Sequence, residues 1–240
     1  MNSTNQIECC FLSRTHRYIF ECLLDNKERS QALCRHLFPM PHNAHLGANF
    51  IASPRETYKH VPYLAQYFIT NENKYIFVDL HEIFKDLIQN ILLDRCDFLQ
   101  EVDTTPTFTL SSIISPEDCK IEFIDQEGQS SILVIQPIFH SDSTGRGFYP
   151  NEINPWTLDF LIDAISHQRS GQQAVILFLA LNSAITSIHP AHHIDSEYVR
   201  LLDEALQCGV KIATARTLLN DSHNTSLCFR PIFESQQQSL

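Results

Sequence analysis

The hydrophobic pattern of this chain is clearest in its last third. Residues 174–181 form an unbroken apolar run rich in valine, isoleucine and leucine, which is typical of a parallel strand covered on both faces. Asp195 is then well placed to cap a helix, and Gly209 offers a left-handed stop. Residues 210–215 resume an apolar pattern. The segment therefore predicts a strand, a helix and a second, short strand.

Two more helices and a hairpin are predicted before this unit. Residues 82–93 carry apolar side chains at helical spacing, and residues 155–168 repeat the pattern. The second helix is expected to bury Leu158, Leu161, Ile162 and Ile165. Residues 120–123 and 131–135 read as paired strands, with a turn at 125–128. Strands that alternate with helices indicate an α/β domain.

The first third of the chain has a different sequence pattern. Residues 7–80 contain short β-prone pieces, such as 17–23 and 74–80, that are separated by prolines and a glycine. This pattern is typical of a small β-barrel. We place the boundary between a barrel domain, residues 1–81, and an α/β domain, residues 82–240.

Charge limits the partners that the chain can bind. The formal net charge is −11, whereas nucleic-acid-binding proteins usually carry a basic face whose cations displace counterions from phosphates. Any contact with DNA would need a local patch, and the candidates are Arg14, His16, Arg17 and Lys59. A solvated surface without a function is an equally good interpretation of these residues.

Several classes of protein are excluded by what the sequence lacks. The chain has no glycine-rich phosphate loop, no GxSxG elbow and only six glycines, which argues against nucleotide-dependent enzymes. The first residues lack a leader pattern, and no apolar run is long enough to span a membrane. Its eight cysteines show no CxxC spacing. We therefore expect a cytoplasmic protein with reduced thiols and no membrane partner.

A resemblance to a known family rests on segments spread over most of the chain. Residues 183–212 read SAITSIHPAHHIDSEYVRLLDEALQCGVKI, and earlier segments read FLSRTHRYIFECLL, KHVPYLAQY, VDLHEIFKDLIQNILL, KIEF, SILVIQP and FYPNE. In this order they resemble the bacterial sugar fermentation stimulation protein A family, a DNA-binding and regulatory family of sugar metabolism. The resemblance implies an N-terminal barrel of the oligonucleotide-binding type. It also implies a restriction-endonuclease-like α/β domain of the PD-(D/E)xK kind with a mixed central sheet.

The same resemblance implies that the nuclease site of this chain is degenerate. Such nucleases need an aspartate and a Glu-x-Lys strand, whose carboxylates hold a divalent metal. Glu122 stands at the aspartate position and is a weak metal ligand, but Val134 replaces the glutamate and Gln136 the lysine. We therefore expect no catalysis and no cofactor, with Mg²⁺ or Mn²⁺ bound only if the site is active.

Alternatives to a non-catalytic DNA-associated protein remain open at this point. A nuclease with a displaced ligand set would recruit Asp125, Asp142 or Glu152 toward Glu122. A protein-interaction module would account for the net acidity and for Trp156 as a binding anchor. Further candidate residues are His189, His192 and His193, which either bind a metal or form a surface loop, and Phe148 and Tyr149, which either stack on bases or belong to the core. The oligomeric state is not determined by the sequence.

Overall fold

The computed structural model describes the greater part of the chain. The described residues are 6–16, 18–34, 48–55, 60–70, 74–92, 109–113, 120–124, 130–153, 155–219, 225–229 and 233. Among them, every helix is too short or too polar to cross a lipid bilayer.

A closed barrel occupies the N-terminal part, as predicted. Its strands are β1 (Ile7–His16), β2 (Ile19–Leu24), β3 (Arg29–Leu33), β4 (Asn49–Pro54) and β5 (Tyr63–Ile69). They pair in the order β3-β2-β1-β4-β5, and β3 also pairs with β5 to close the barrel. Alternate side chains point inward, so that four phenylalanine rings meet edge to face or tilted in the interior: Phe11, Phe20, Phe50 and Phe68. These rings supply much of the apolar area that the barrel buries.

A short strand and a helix join the barrel to the rest of the chain. Strand β6 (Tyr75–Phe77) extends the barrel sheet beyond β5, and helix α1 (Leu80–Leu92) follows. The amide of Phe77 donates to the carbonyl of Leu181 at 2.8 Å. The barrel, α1 and one face of the C-terminal sheet share a single apolar cluster. The barrel is therefore packed firmly against that sheet.

The C-terminal part is a mixed sheet with helices, as predicted. In chain order its elements are β7 (Thr109–Ile113), β8 (Lys120–Ile124), β9 (Ser130–Ile138), β10 (Arg146–Tyr149), α2 (Pro155–Arg169), β11 (Gln173–Ala180), β12 (Ser187–Pro190), α3 (Ser196–Gln207), β13 (Lys211–Leu219) and β14 (Thr225–Phe229). The large sheet has the order β14-β13-β11-β9-β8-β7, with β9, β11 and β13 parallel and the outer strands antiparallel. Strands β10 and β12 form a separate parallel pair.

Two details of the sequence prediction were wrong. The final predicted strand is not short, because β13 continues to Leu219 and pairs there with β14. Ile162 is 51% exposed, not buried. Leu161 and Ile165 are buried as predicted, and Leu158 packs partly buried against the same cluster. Ala164 completes the buried face of helix α2, and Ile162 lies on the side toward solvent.

Helix α3 begins at the predicted cap. The Asp195 carboxylate accepts hydrogen bonds from the amides of Glu197 and Tyr198, each at 3.0 Å. These bonds satisfy two amides that have no partner inside the helix. At the other end Gly209 adopts a φ of 92°, the left-handed conformation expected for a helix stop.

Replacing this cap tests how firmly α3 is held. Asp195→Ala is expected to lower the free energy of unfolding by about 1 kcal/mol, because both amides lose their acceptor. Urea denaturation measures the change, with Asp203→Ala on the exposed side of the same helix as the control. Equal stability of the two variants would contradict a capping role for Asp195.

Candidate functional site

The positions that the resemblance assigns to a nuclease motif lie on one face of β8 and β9. The two strands are antiparallel, with Glu122 opposite Ile132 and Lys120 opposite Val134. Directly opposite residues share a face, and Gln136 follows on the same face of β9 because side chains alternate. This face packs against α2 and α3. The fold thus brings Glu122, Val134 and Gln136 to one surface of the sheet, as the motif requires.

The two altered positions are closed to solvent. Val134 and Gln136 are fully buried, and Val134 packs in the cluster beneath α2 and α3. The fully buried hydroxyl of Tyr198, from α3, donates to the Gln136 side-chain oxygen. Burial raises the pKa of Tyr198 well above its ordinary value, so the hydroxyl remains a neutral donor. Tyr198 therefore occupies the space next to the lysine position with a neutral hydrogen bond.

Tyr198 is held there by further aromatic contacts. Its ring meets that of Tyr149 edge to face at a centroid distance of 5.2 Å, and Tyr149 meets Phe178 at 5.7 Å. Tyr149 is buried, which confirms its interpretation as a core residue. The side-chain nitrogen of Gln136 is buried without a hydrogen-bond partner among the described residues. The Gln136 side chain thus forms a hydrogen bond through its oxygen but not through its nitrogen, and it is closed to solvent.

The charged groups on this face are engaged with neighbouring side chains. The Ser130 hydroxyl donates to Glu122 at 2.7 Å. The ammonium of Lys120 lies 2.7 Å from a carboxylate oxygen of Asp163 on α2. Sequence reasoning missed Lys120 and Asp163, although the spacing of two residues between Lys120 and Glu122 signals a shared strand face.

A divalent metal does not fit the motif positions of this chain. Magnesium and calcium take several oxygen ligands, preferably carboxylates, and here valine and a buried glutamine stand beside one glutamate. Among the described residues no group of three or more acidic, histidine or cysteine side chains is arranged to hold a metal ion.

Neither of the two candidates for a displaced ligand that the structure describes belongs to a group that could hold a metal ion. Asp142 accepts hydrogen bonds from the hydroxyl and amide of Thr144 and from Arg146. These bonds, first of all the one from the Thr144 hydroxyl, hold the pKa of Asp142 well below its usual range. Glu152 is exposed just before α2. Asp125 lies outside the described residues.

The basic candidates on the barrel differ in accessibility. The Arg14 guanidinium lies over the Phe20 ring at 5.4 Å, and two of its three nitrogens are buried. His16 is exposed at the end of β1. Arg17 and Lys59 lie outside the described residues. The Arg14 side chain therefore has two roles: it packs against the Phe20 ring of the barrel, and it carries a positive charge.

The histidines at the end of β12 lie beside a phenylalanine. The ring of Phe148 is 5.9 Å from that of His189 and 5.5 Å from that of His193. His192 is exposed. His189 and His193 thus share aromatic contacts with Phe148, and within the described part of the chain none of the three histidines belongs to a group that could hold a metal ion. The side chain of Trp156 lies outside the part of the chain that the structure describes, so its role stays a prediction.

Comparison with known proteins agrees with this geometry. Residues 158–223 match the sequence profile of the sugar fermentation stimulation protein RE domain, SfsA. Among solved structures, SfsA of Pyrococcus furiosus in complex with Ca²⁺ has a TM-score of 0.78 and is 16% identical, with 98% of each chain covered. The barrel and the mixed sheet thus recur together in that protein. Over residues 158–223 the chain is thus similar to the sugar fermentation stimulation protein family, and its fold is similar to that of the Pyrococcus furiosus protein.

Proposed function

We propose that this protein is a cytoplasmic, DNA-associated regulator of sugar metabolism whose nuclease-like domain is not catalytic. The observation that carries this proposal is the complete burial of Val134 and Gln136, together with the hydrogen bond from the Tyr198 hydroxyl to Gln136. A nuclease needs its metal ligands and its lysine at a surface that water and a phosphodiester can reach. Here the positions of the second metal ligand and of the lysine are buried, so that water and a phosphodiester cannot reach them.

The proposed contact with DNA is on the barrel. Barrels of the oligonucleotide-binding type present one sheet face and adjacent loops to nucleic acids. Here β1 ends at the exposed His16, with Arg14 two residues before it. Because the chain is acidic overall, a small basic contact of this kind predicts weak binding that depends strongly on salt.

The relative from Pyrococcus furiosus was solved with Ca²⁺, and metal binding is where we propose that this chain differs. The titration that tests the proposal uses labelled single- and double-stranded DNA in manganese, at low and at physiological salt. Both the mobility shift and cleavage are read on the same gel. A salt-sensitive shift without cleavage supports the proposal. Cleavage that is lost in Glu122→Ala would establish the alternative, a nuclease with displaced ligands.

Substitutions on the barrel test the proposed DNA contact. In His16→Gln and Arg14→Gln, we expect the slope of log K against log salt to become shallower by about one for each phosphate that the protein no longer neutralises. Arg29→Gln is the control, because Arg29 is exposed on β3 and pairs with the end of β2 far from His16. Unchanged slopes in both variants would remove this surface from the proposal. If the parent protein binds no DNA, a protein partner becomes the better explanation.

A further inference from the structure

The outer face of the β10 and β12 pair carries a basic and aromatic cluster that the proposed function does not use. Arg146 lies opposite Ser187, and Phe148 lies opposite His189. Because side chains alternate along a strand, these four share one face, while the residues that follow each of them are buried. We call this face, together with His193, the β10–β12 shelf.

The rings of the shelf lie close enough to form one surface. The Arg146 guanidinium carbon is 5.7 Å from the centroid of the Phe148 ring. His189 is tilted by 38° to that ring, and His193 meets it edge to face at 84°. Phe148 and His189 are half-buried and His193 is exposed. A planar ligand can therefore reach aromatic surface that is flanked by hydrogen-bond donors.

Arg146 is oriented before any ligand arrives. Asp142 accepts a hydrogen bond from its Nε at 2.8 Å and one from its backbone amide at 3.0 Å. Among the described residues, the two terminal guanidinium nitrogens of Arg146 have no acceptor, and the side chain is 53% exposed. The loop that carries Asp142 is fixed by Gly145, with a φ of 86° and no room for a Cβ beside Thr186. The guanidinium thus offers two donors on a rigid support, which is the arrangement that suits a phosphate.

We propose that the β10–β12 shelf binds a nucleotide, with the base against Phe148 and the imidazoles and the phosphate at the terminal nitrogens of Arg146. Every base has a face that stacks on aromatic rings, and the phosphate supplies the charge that a guanidinium recognises. The nucleotide is either free or part of a single strand of nucleic acid. Only the single-strand form rests on the proposed association with DNA.

The test measures fluorescence anisotropy with a labelled oligothymidine of about ten nucleotides, and free thymidine monophosphate as competitor. We expect Arg146→Gln and Phe148→Ala each to weaken binding by roughly tenfold or more, since one loses the phosphate donors and the other the stacking surface. Arg169→Gln is the matched control, because that arginine is 61% exposed at the end of α2 and loses the same charge. Arg146→Gln keeps the test valid if Phe148→Ala fails to fold.

The outcomes distinguish binding at the β10–β12 shelf from binding at the barrel. Displacement by the free nucleotide identifies a free nucleotide as the ligand, whereas binding of the oligonucleotide alone identifies a single strand. Binding that is equal in the parent and in both shelf variants overturns the shelf. If the binding of the oligonucleotide is instead abolished in Arg14→Gln and His16→Gln, the proposed function survives without the β10–β12 shelf. A parent protein that binds neither probe overturns the shelf, and binding of duplex DNA then decides the proposed function separately.

Discussion

Replacing Gln136 by lysine, the residue that the nuclease motif carries at this position, is expected to destabilise the protein without restoring DNA cleavage. Gln136 is fully buried and bonded to Tyr198. An ammonium there would lose its hydration and would have no carboxylate to pair with. An uncompensated buried charge of this kind costs about 3–5 kcal/mol. The alternative, a neutral amine, requires a large fall in the pKa of the new lysine and carries a similar cost.

Urea denaturation and a DNA cleavage assay in manganese measure the two parts of this result. Gln207→Lys is the control, because Gln207 is exposed at the end of α3 and its replacement should change stability by less than about 0.5 kcal/mol. A Gln136→Lys protein as stable as the parent would show that this position opens to solvent. Metal-dependent cleavage by it would show that only one substitution separates this chain from an active nuclease.

The elements that could be predicted from the sequence are those fixed by local signals. The apolar run that became β11, the cap at Asp195 and the stop at Gly209 each depend on neighbouring residues, and all three are confirmed. The antiparallel pairing of β8 and β9 was also predicted correctly. Local patterns suffice here because a buried strand and a capped helix leave few alternatives.

Features that depend on distant partners were not predicted. Whether Ile162 or Ala164 faces the sheet depends on how closely α2 can approach it, which the helical stripe does not specify. The residue types show that Val134 and Gln136 lack the motif's charges. They do not show that Tyr198, 62 residues away, closes over Gln136. The shelf was missed for the same reason, since no local pattern specifies the register between β10 and β12.

Pro137 illustrates how the fold accommodates an unusual residue next to the site. Proline lacks an N–H and is normally confined to edge positions of a sheet. β8 pairs only with residues 130–134 of β9, so Pro137 lies beyond the end of that pairing. Its carbonyl accepts a hydrogen bond from the Asn151 side chain at 3.0 Å. On its other side Pro137 remains paired with Leu179 of the parallel strand β11, so the Asn151 side chain ties this end of β9 to the segment before α2 in addition to that pairing.

The contact between Tyr198 and Gln136 should contribute strongly to stability. Tyr198→Ala is expected to lower the free energy of unfolding by about 3–5 kcal/mol, because it leaves a cavity among buried rings. Tyr198→Phe keeps the ring and removes only the hydroxyl. Its expected cost is about 1–3 kcal/mol, since the buried side-chain oxygen of Gln136 then loses its hydrogen-bond donor.

A double-mutant cycle separates the hydrogen bond from the packing. Gln136→Met alone strands the Tyr198 hydroxyl, whereas Gln136→Met with Tyr198→Phe removes both polar partners and should be nearly as stable as the parent. Urea unfolding of the four proteins measures the coupling energy. If the two single costs simply add in the double variant, the hydrogen bond is not what holds α3 against the sheet. If instead the apolar pair is stable and the protein still shifts DNA as the parent does, the sheet face that carries Val134 and Gln136 serves only to hold the fold together.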